Sequence, residues 1–382
     1  MLFVATIYNT LKMNVTNRTH DIVSGLEDLE FLFGLKKFPV FQGCTKQSID
    51  TDVVHDLNFY ISQATGMVQS KELIPLDVVY QDAHTPGAVG QIWMEHHREF
   101  SKFIHSQNPK SVFEIGGSHG ILSQCYDELA LIDWTIIEPV PVRNDKLRAK
   151  LVQGFYDENT QVDADMIVHS HVLEHIYDPR TFFSSLSKRP MSNKMCFSVP
   201  SLEQHIEAKY TNALSFEHTY FCTEDYIEYW LSISGYRILD KHHFKGHSIF
   251  YATIRADVDP LPMPDLYAVN KRVFDEFTNY HKNNVENLND ILKTSQVPVY
   301  LFGAHVFSQF LLSMGLDSKK IVAILDNSKD KQNRRLYGTD LMCYSPEVLG
   351  HLQDAVVILQ AGQYTEEIRQ GILEINPGIK FV

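Results

Sequence analysis

The stretch Ser111-Val-Phe-Glu-Ile-Gly-Gly-Ser-His-Gly120 reads as a short strand running into a glycine turn. Val112, Phe113 and Ile115 are its apolar positions, and Ile121-Leu-Ser-Gln-Cys-Tyr126 opens a helix beyond it. Glycines let the backbone curl beneath a ligand at angles other residues resist. The dinucleotide fingerprint is G-x-G-x-x-G, with a pyrophosphate at the helix N-terminus. Here the spacing is Gly116-x-x-x-Gly120, with Gly117 inside it and Glu114 placed to bond an ammonium group. S-adenosylmethionine (SAM) carries an amino-acid tail and no phosphate, so this turn suits it better than a dinucleotide. The competing reading is a tight strand-to-helix turn that holds no ligand.

Working outward, 382 residues suffice for two or three domains with real cores. A formal charge of −13 argues against general nucleic-acid binding, which needs a basic surface. Cys44, Cys125, Cys196, Cys222 and Cys343 are scattered, odd in number and form no C-x-x-C, as expected of a reducing compartment without a zinc ribbon. The opening Met1-Leu-Phe-Val-Ala-Thr-Ile-Tyr8 is apolar but too short to span a bilayer and lacks a basic flank. The expectation is a soluble, cytoplasmic protein without membrane insertion; its oligomeric state is not readable.

Residues 1–90 show no clear period and several turn signals, including Phe38-Pro-Val-Phe-Gln-Gly43 and His84-Thr-Pro-Gly87, and read as an irregular N-terminal lobe associated with substrate. From residue 91, Ile92, Trp93, Phe100, Phe103 and Ile104 fall at helical spacing. Trp134–Ile137, Met166–Val168, Met195–Val199 and Ser248–Thr253 are buried strands alternating with helical stretches, the pattern of a mostly parallel, seven-stranded Rossmann-like sheet over 91–256. Asp257-Val-Asp-Pro-Leu-Pro-Met-Pro264 reads as a linker. A long helix (266–292) and strands at 297–303, 321–326 and 355–359 then predict a smaller Rossmann-like domain over 257–382. Its turn at Gly303 lacks the dinucleotide fingerprint, so a scaffold for substrate is expected there.

Glu138 ends the second central strand about twenty residues after the glycine turn, where a carboxylate can accept both ribose hydroxyls. His171-Val-Leu-Glu-His175 has two readings. It matches the H-x-x-E-H of inverted zinc peptidases, but that motif belongs within a longer helix and this one directly follows a strand. As the segment after the fourth strand of a methyltransferase sheet, it places His169 near the methyl donor and leaves Glu174 and His175 structural. Glu217-His218-Thr-Tyr220-Phe221 follows the fifth strand and is flanked by aromatic residues.

These segments resemble the three-part sugar C-methyltransferases of deoxysugar biosynthesis, a class I SAM-dependent family. The likeness runs over roughly 55–382. Glu217-His218-Thr-Tyr220-Phe221 is similar to the family's Glu-His-Phe-x-Tyr-Phe segment, and Lys245-Gly246-His247-Ser248 partly matches its Gly-Gly-Ser turn. Gly303-Ala304, Ile324-Leu-Asp-Asn327 and Tyr337-Gly-Thr-Asp340 follow the family order. The resemblance implies carbon methylation beside a ketone of a nucleotide-linked sugar, with SAM held by Glu114, Gly116, Gly117, Gly120, Glu138 and His169. His218 would be the general base, with Glu217 orienting it or holding a substrate hydroxyl. Two departures stand out: the family's N-terminal zinc cysteines are reduced to Cys44, so no metal is expected, and Ser215 stands where many members have tyrosine. O-methylation of a surface-polysaccharide sugar or its precursor, and non-catalytic binding of SAM or a nucleotide sugar, remain alternatives.

Overall fold

The alternation of buried strands and helices is realised in a computed structural model that describes residues 14–79, 90–142, 145–189 and 192–382. The opening Met1–Tyr8 stretch and the His84–Gly87 turn lie outside the described residues.

The N-terminal lobe is more regular than its sequence suggests. Leu29–Pro39 (β1), Val54–Ser62 (β3) and Val68–Ser70 (β4) form an antiparallel sheet in the order β1-β3-β4, with Cys44–Thr45 (β2) lying apart from it. Register shifts between Phe31 and Phe33 and between Leu35 and Phe38 interrupt the ladder, and Lys37 has φ 50°. Each shift moves the following side chains to the opposite face, so no two-residue period survives in the sequence.

Gln91–Ser106 (α1) leads into the central domain. Its strands are Ser111–Ile115 (β5), Asp133–Glu138 (β6), Lys150–Gln153 (β7), Met166–Ser170 (β8), Lys194–Pro200 (β9), Tyr236–Phe244 (β10) and Ser248–Arg255 (β11). They form one sheet ordered β10-β11-β9-β8-β5-β6-β7, parallel except where β11 runs antiparallel to both neighbours. That is the strand order of class I methyltransferases. Alternate residues of β5 enter different cores: Val112 joins Phe100 and Ile104 of α1, while Phe113 and Ile115 join Phe183 and Phe197 on the opposite face. Burial on both faces explains the continuous apolar runs. The edge strands β7, without a buried residue, and β10, mostly exposed, carry no such run.

Beyond the linker, Tyr267–Thr294 (α2) and the strands Val299–Phe302 (β12), Ile324–Leu325 (β13), Arg334–Leu336 (β14), Met342–Tyr344 (β15), Val356–Ile358 (β16) and Lys380–Phe381 (β17) build the third part. Its sheet is ordered β17-β16-β12-β13-β15-β14-β2, so the N-terminal lobe contributes an edge strand. Beside that junction Arg335 forms a two-pronged ion pair with Asp52, both contacts 2.6 Å, and Asp52 Oδ2 also accepts the Gly338 N–H at 2.7 Å. No helix among the described residues is long and apolar enough to cross a membrane.

Truncating one member of a buried pair strands the other charge. Asp52→Ala is expected to destabilise the protein by about 3 kcal/mol, read as a lower urea midpoint. An unchanged midpoint would show that Arg335 is satisfied without Asp52.

Candidate functional site

The parallel strands all end at one edge of the central sheet, and the neighbours β5 and β8 lead away to opposite sides of the sheet order. Ligand crevices form at such a point. After β5 the chain turns through Gly116 (φ 74°), Ser118 (φ 46°) and Gly120 (φ 69°). A Cβ at Gly116 would stand 2.7 Å from Val172 Cγ2, and one at Gly120 would stand 2.5 Å from Leu147 Cδ1. Gly117 is required for space: its Cβ would meet Ile136 Cγ2 at 2.6 Å and Glu114 Cδ at 2.8 Å.

Glu114 lies buried beneath this turn, where Trp134 Nε1–H donates to Oε2 at 2.7 Å. Burial pushes its carboxyl up to about 7, the Trp134 bond opposes that rise, and the Glu138 charge adds to it. Glu138, at the tip of β6 (Asp133–Glu138), is oriented by the backbone: Oε2 accepts the Ser118 N–H at 3.0 Å and Oε1 the Val140 N–H at 3.2 Å. Each oxygen retains lone-pair capacity for a further donor. His169 pairs in register with Ile115, the last residue before the turn. Its ring is fully buried, stacks on Phe197 at 4.8 Å, and finds no hydrogen-bond partner among the described residues. Burial draws its pKa down to about 3 against the opposing pull of Glu174.

The glycine turn and the loop that carries Glu217 and His218 are joined by the segment after β8. Val172 touches the glycine turn, and Leu173–His175 is a single 3-10 turn rather than part of a longer helix. His171 has φ 53°, which directs it away from His175. The H-x-x-E-H histidines therefore serve different neighbourhoods. His175 meets His218 edge to face at 4.7 Å, whereas His171 lies 5.2 Å from His96 and 5.5 Å from His247, ring centre to ring centre. Glu174 is fully buried between them, with Oε1 3.2 Å from His171 Nδ1. Burial pushes its carboxyl upward, but His171, His175 and His218 outweigh this and hold it at about 2.

His218 and Glu217 sit on a loop fastened from two sides. Ser215 Oγ accepts the N–H of Glu217 at 3.1 Å and of His218 at 3.2 Å, and Ser215 N–H donates to His218 O at 3.1 Å. Ser215 thus closes the turn that presents the pair. The N-terminal lobe holds the other side through Ser70 N–H to Thr219 O and Phe221 N–H to Val68 O, each 2.8 Å. Glu217 Oε2 lies 4.0 Å from His175 Nδ1, and His218 Nδ1 has no hydrogen-bond partner among the described residues.

The C-terminal domain reaches the same edge. Gln363 Nε2 lies 2.8 Å from His205 Nε2 and donates to Gly246 O at 3.0 Å, while Tyr364 Oη accepts Trp93 Nε1–H at 2.7 Å. Sequence reasoning missed His96, His205 and Gln363. His96 was hidden in a helical apolar pattern, and the other two come from elements far apart in the chain. Trp93, read only as a core position of α1, packs against both His171 and His247.

Residues 268–382 match the model of the C-methyltransferase C-terminal domain. No curated protein sequence matches the chain. Among solved structures, the chain is similar to a SAM-dependent methyltransferase from Clostridium acetobutylicum at 13% identity, with 42% of this chain and 92% of that one covered and a TM-score of 0.33. It is also similar to mitomycin 7-O-methyltransferase (16% identity, 47% and 62% covered, TM-score 0.37). A third is the 1,6-didemethyltoxoflavin-N1-methyltransferase of Burkholderia thailandensis, with S-adenosylhomocysteine bound (14% identity, 46% and 82% covered, TM-score 0.35). Residues 268–382 therefore carry the C-terminal domain of the C-methyltransferases, and the central sheet has the strand order of the class I methyltransferase fold.

Proposed function

We propose that the protein methylates a carbon next to the ketone of a nucleotide-linked deoxysugar. The observation that carries this reading is the Glu217–His218 pair beside His175, joined through Val172 to the glycine turn, in a chain with a C-methyltransferase C-terminal domain. The sugar itself rests on the resemblance of the Glu217–Phe221 segment and of the C-terminal motifs to sugar C-methyltransferases.

The donor half suits SAM. Gly116, Gly117 and Gly120 leave the backbone bare, Glu138 offers two oriented oxygens for the ribose hydroxyls, and Glu114 is a buried acid that a nearby ammonium would ionise. His169, neutral and stacked in aromatic surroundings, backs this half without adding charge. When bound, SAM supplies a sulfonium methyl as electrophile.

On the acceptor side, His218 takes the proton from the carbon beside the ketone. The C–H electron pair moves into the carbonyl as an enolate, whose carbon is the nucleophile. Glu217 orients His218 or holds a substrate hydroxyl, and the aromatic flanks and the C-terminal domain keep water from the enolate. A sugar hydroxyl could yield its proton to the same base, which is the O-methylation alternative.

His218→Asn is expected to lower turnover by about two orders of magnitude while SAM affinity stays near that of the wild type. Solvent deuterium should enter the substrate carbon without SAM in the wild type and not in this variant. Unchanged turnover would eliminate His218 as the base, and absent exchange in an active wild type would favour the O-methylation alternative.

Glu138→Ala is expected to weaken SAM binding in calorimetry; full affinity would remove Glu138 from the ribose site. Glu114 generates a pH dependence of definite sign. Its folded-state pKa is raised to about 7, so the free protein holds a proton there that an incoming ammonium displaces. SAM affinity should rise as pH increases through about 7, with proton release on binding, and Glu114→Gln should flatten that rise. A wild-type affinity independent of pH across this range would separate Glu114 from the ammonium.

A further inference from the structure

We propose that His96, His171 and His247 form a binding site for a divalent transition-metal ion of the zinc class, with Glu174 as the outer carboxylate that orients His171. The three come from separate elements. His96 is on α1 (Gln91–Ser106), His171 follows the tip of β8 (Met166–Ser170), and His247 is in the loop between β10 (Tyr236–Phe244) and β11 (Ser248–Arg255). One ligand nitrogen of each lies within 4.8 Å of those of the other two.

Two further observations point to a ligand. His96 is fully buried, yet neither of its ring nitrogens has a hydrogen-bond partner among the described residues. A buried imidazole normally satisfies its donor or acceptor, so its lone pair is available to a cation. His171 is held from behind by Glu174, whose Oε1 lies 3.2 Å from Nδ1. This carboxylate–histidine arrangement fixes the tautomer in metal sites and leaves the other nitrogen unprotonated. That other nitrogen, Nε2, lies 2.8 Å from Ser248 Oγ, which is also 2.5 Å from His247 Nδ1. The hydroxyl can donate to one of these nitrogens and accept from the other, so an ion reaching His171 Nε2 would replace the Ser248 bond.

Imidazole ligands favour zinc, copper, nickel and related ions over magnesium or calcium, which prefer oxygen. Three histidines leave room for a fourth ligand, as in zinc sites that retain an open position. Ring nitrogens around one tetrahedral ion stand about 3.3 Å apart, so the cage contracts on loading. An ion here would tie α1 and the β10–β11 loop to the tip of β8. A second group, Glu174, His175 and His218, also has ligand atoms within 4.8 Å of one another. There, however, Glu174 is engaged by His171, and the histidine trio alone contains the wholly unpartnered His96.

The test uses the full chain, treated with chelator and titrated with Co2+ as a spectroscopic probe for zinc. One equivalent should bind and give the visible absorption of a four- or five-coordinate nitrogen site. His96→Gln and His247→Gln should abolish that signal, Glu174→Gln should weaken binding about tenfold, and His218→Asn should retain it. No saturable binding by the wild type would overturn the proposal. So would loss of the signal in His218→Asn with retention in His247→Gln, which places the ion in the second group. Should the variants fail to fold, X-ray absorption of the zinc-loaded wild type decides: a shell with three imidazoles supports the site, and an oxygen- or sulfur-dominated shell overturns it. None of these readouts requires methyl transfer, so they stand apart from the assignment of His218.

Discussion

Glu174 is the constraint around which the carboxyl edge of the central sheet is arranged. A carboxylate with no exposed surface carries a large desolvation cost unless cationic or polar groups meet it. Here the compensation comes from two directions, with His171 on one side and His175 and His218 on the other. Those histidines must therefore remain close to it. The left-handed backbone at His171 and the short 3-10 turn that follows allow one segment to face both ways. A continuous helix would have placed His171 and His175 on a single face.

The same segment couples the halves of the site. Val172 fits against Gly116 only because glycine has no side chain, and three residues later His175 packs on His218. The N-terminal lobe and the C-terminal domain both close on this edge. The lobe pairs its backbone with Thr219 and Phe221, and the C-terminal domain reaches His205 and Gly246 through Gln363. The Arg335–Asp52 pair joins these two outer parts to each other. The loop carrying Glu217 and His218 is thus positioned by contacts from outside the central domain as well as within it.

Much of the central domain was legible because its strands are buried on both faces. Such strands appear as unbroken apolar runs, and the helices between them keep their own period. The glycine turn, Glu138 and the Glu217–His218 pair were likewise visible, since each depends on local spacing around a strand tip. The sheet of the N-terminal lobe was not, because two register shifts erase its alternation. Nor was the strand β2 that this lobe contributes to the distant C-terminal sheet, a two-residue element defined only by its pairing with Arg335 and Leu336.

By itself the sequence determined the α/β class, the buried strands of the central sheet and a glycine turn at the tip of its first strand, because these follow from periodicity and from glycines at fixed offsets. Tertiary structure alone decided which histidines meet. His96, His171 and His247 are separated by long stretches of chain, and no spacing rule relates them. They meet because α1 packs on the sheet and β11 returns antiparallel, bringing the loop before it to the edge where the parallel strands end. Ser215 shows the same limit on a smaller scale. In sequence it is a missing tyrosine, but in the fold its hydroxyl accepts two backbone N–H groups and shapes the turn that presents His218.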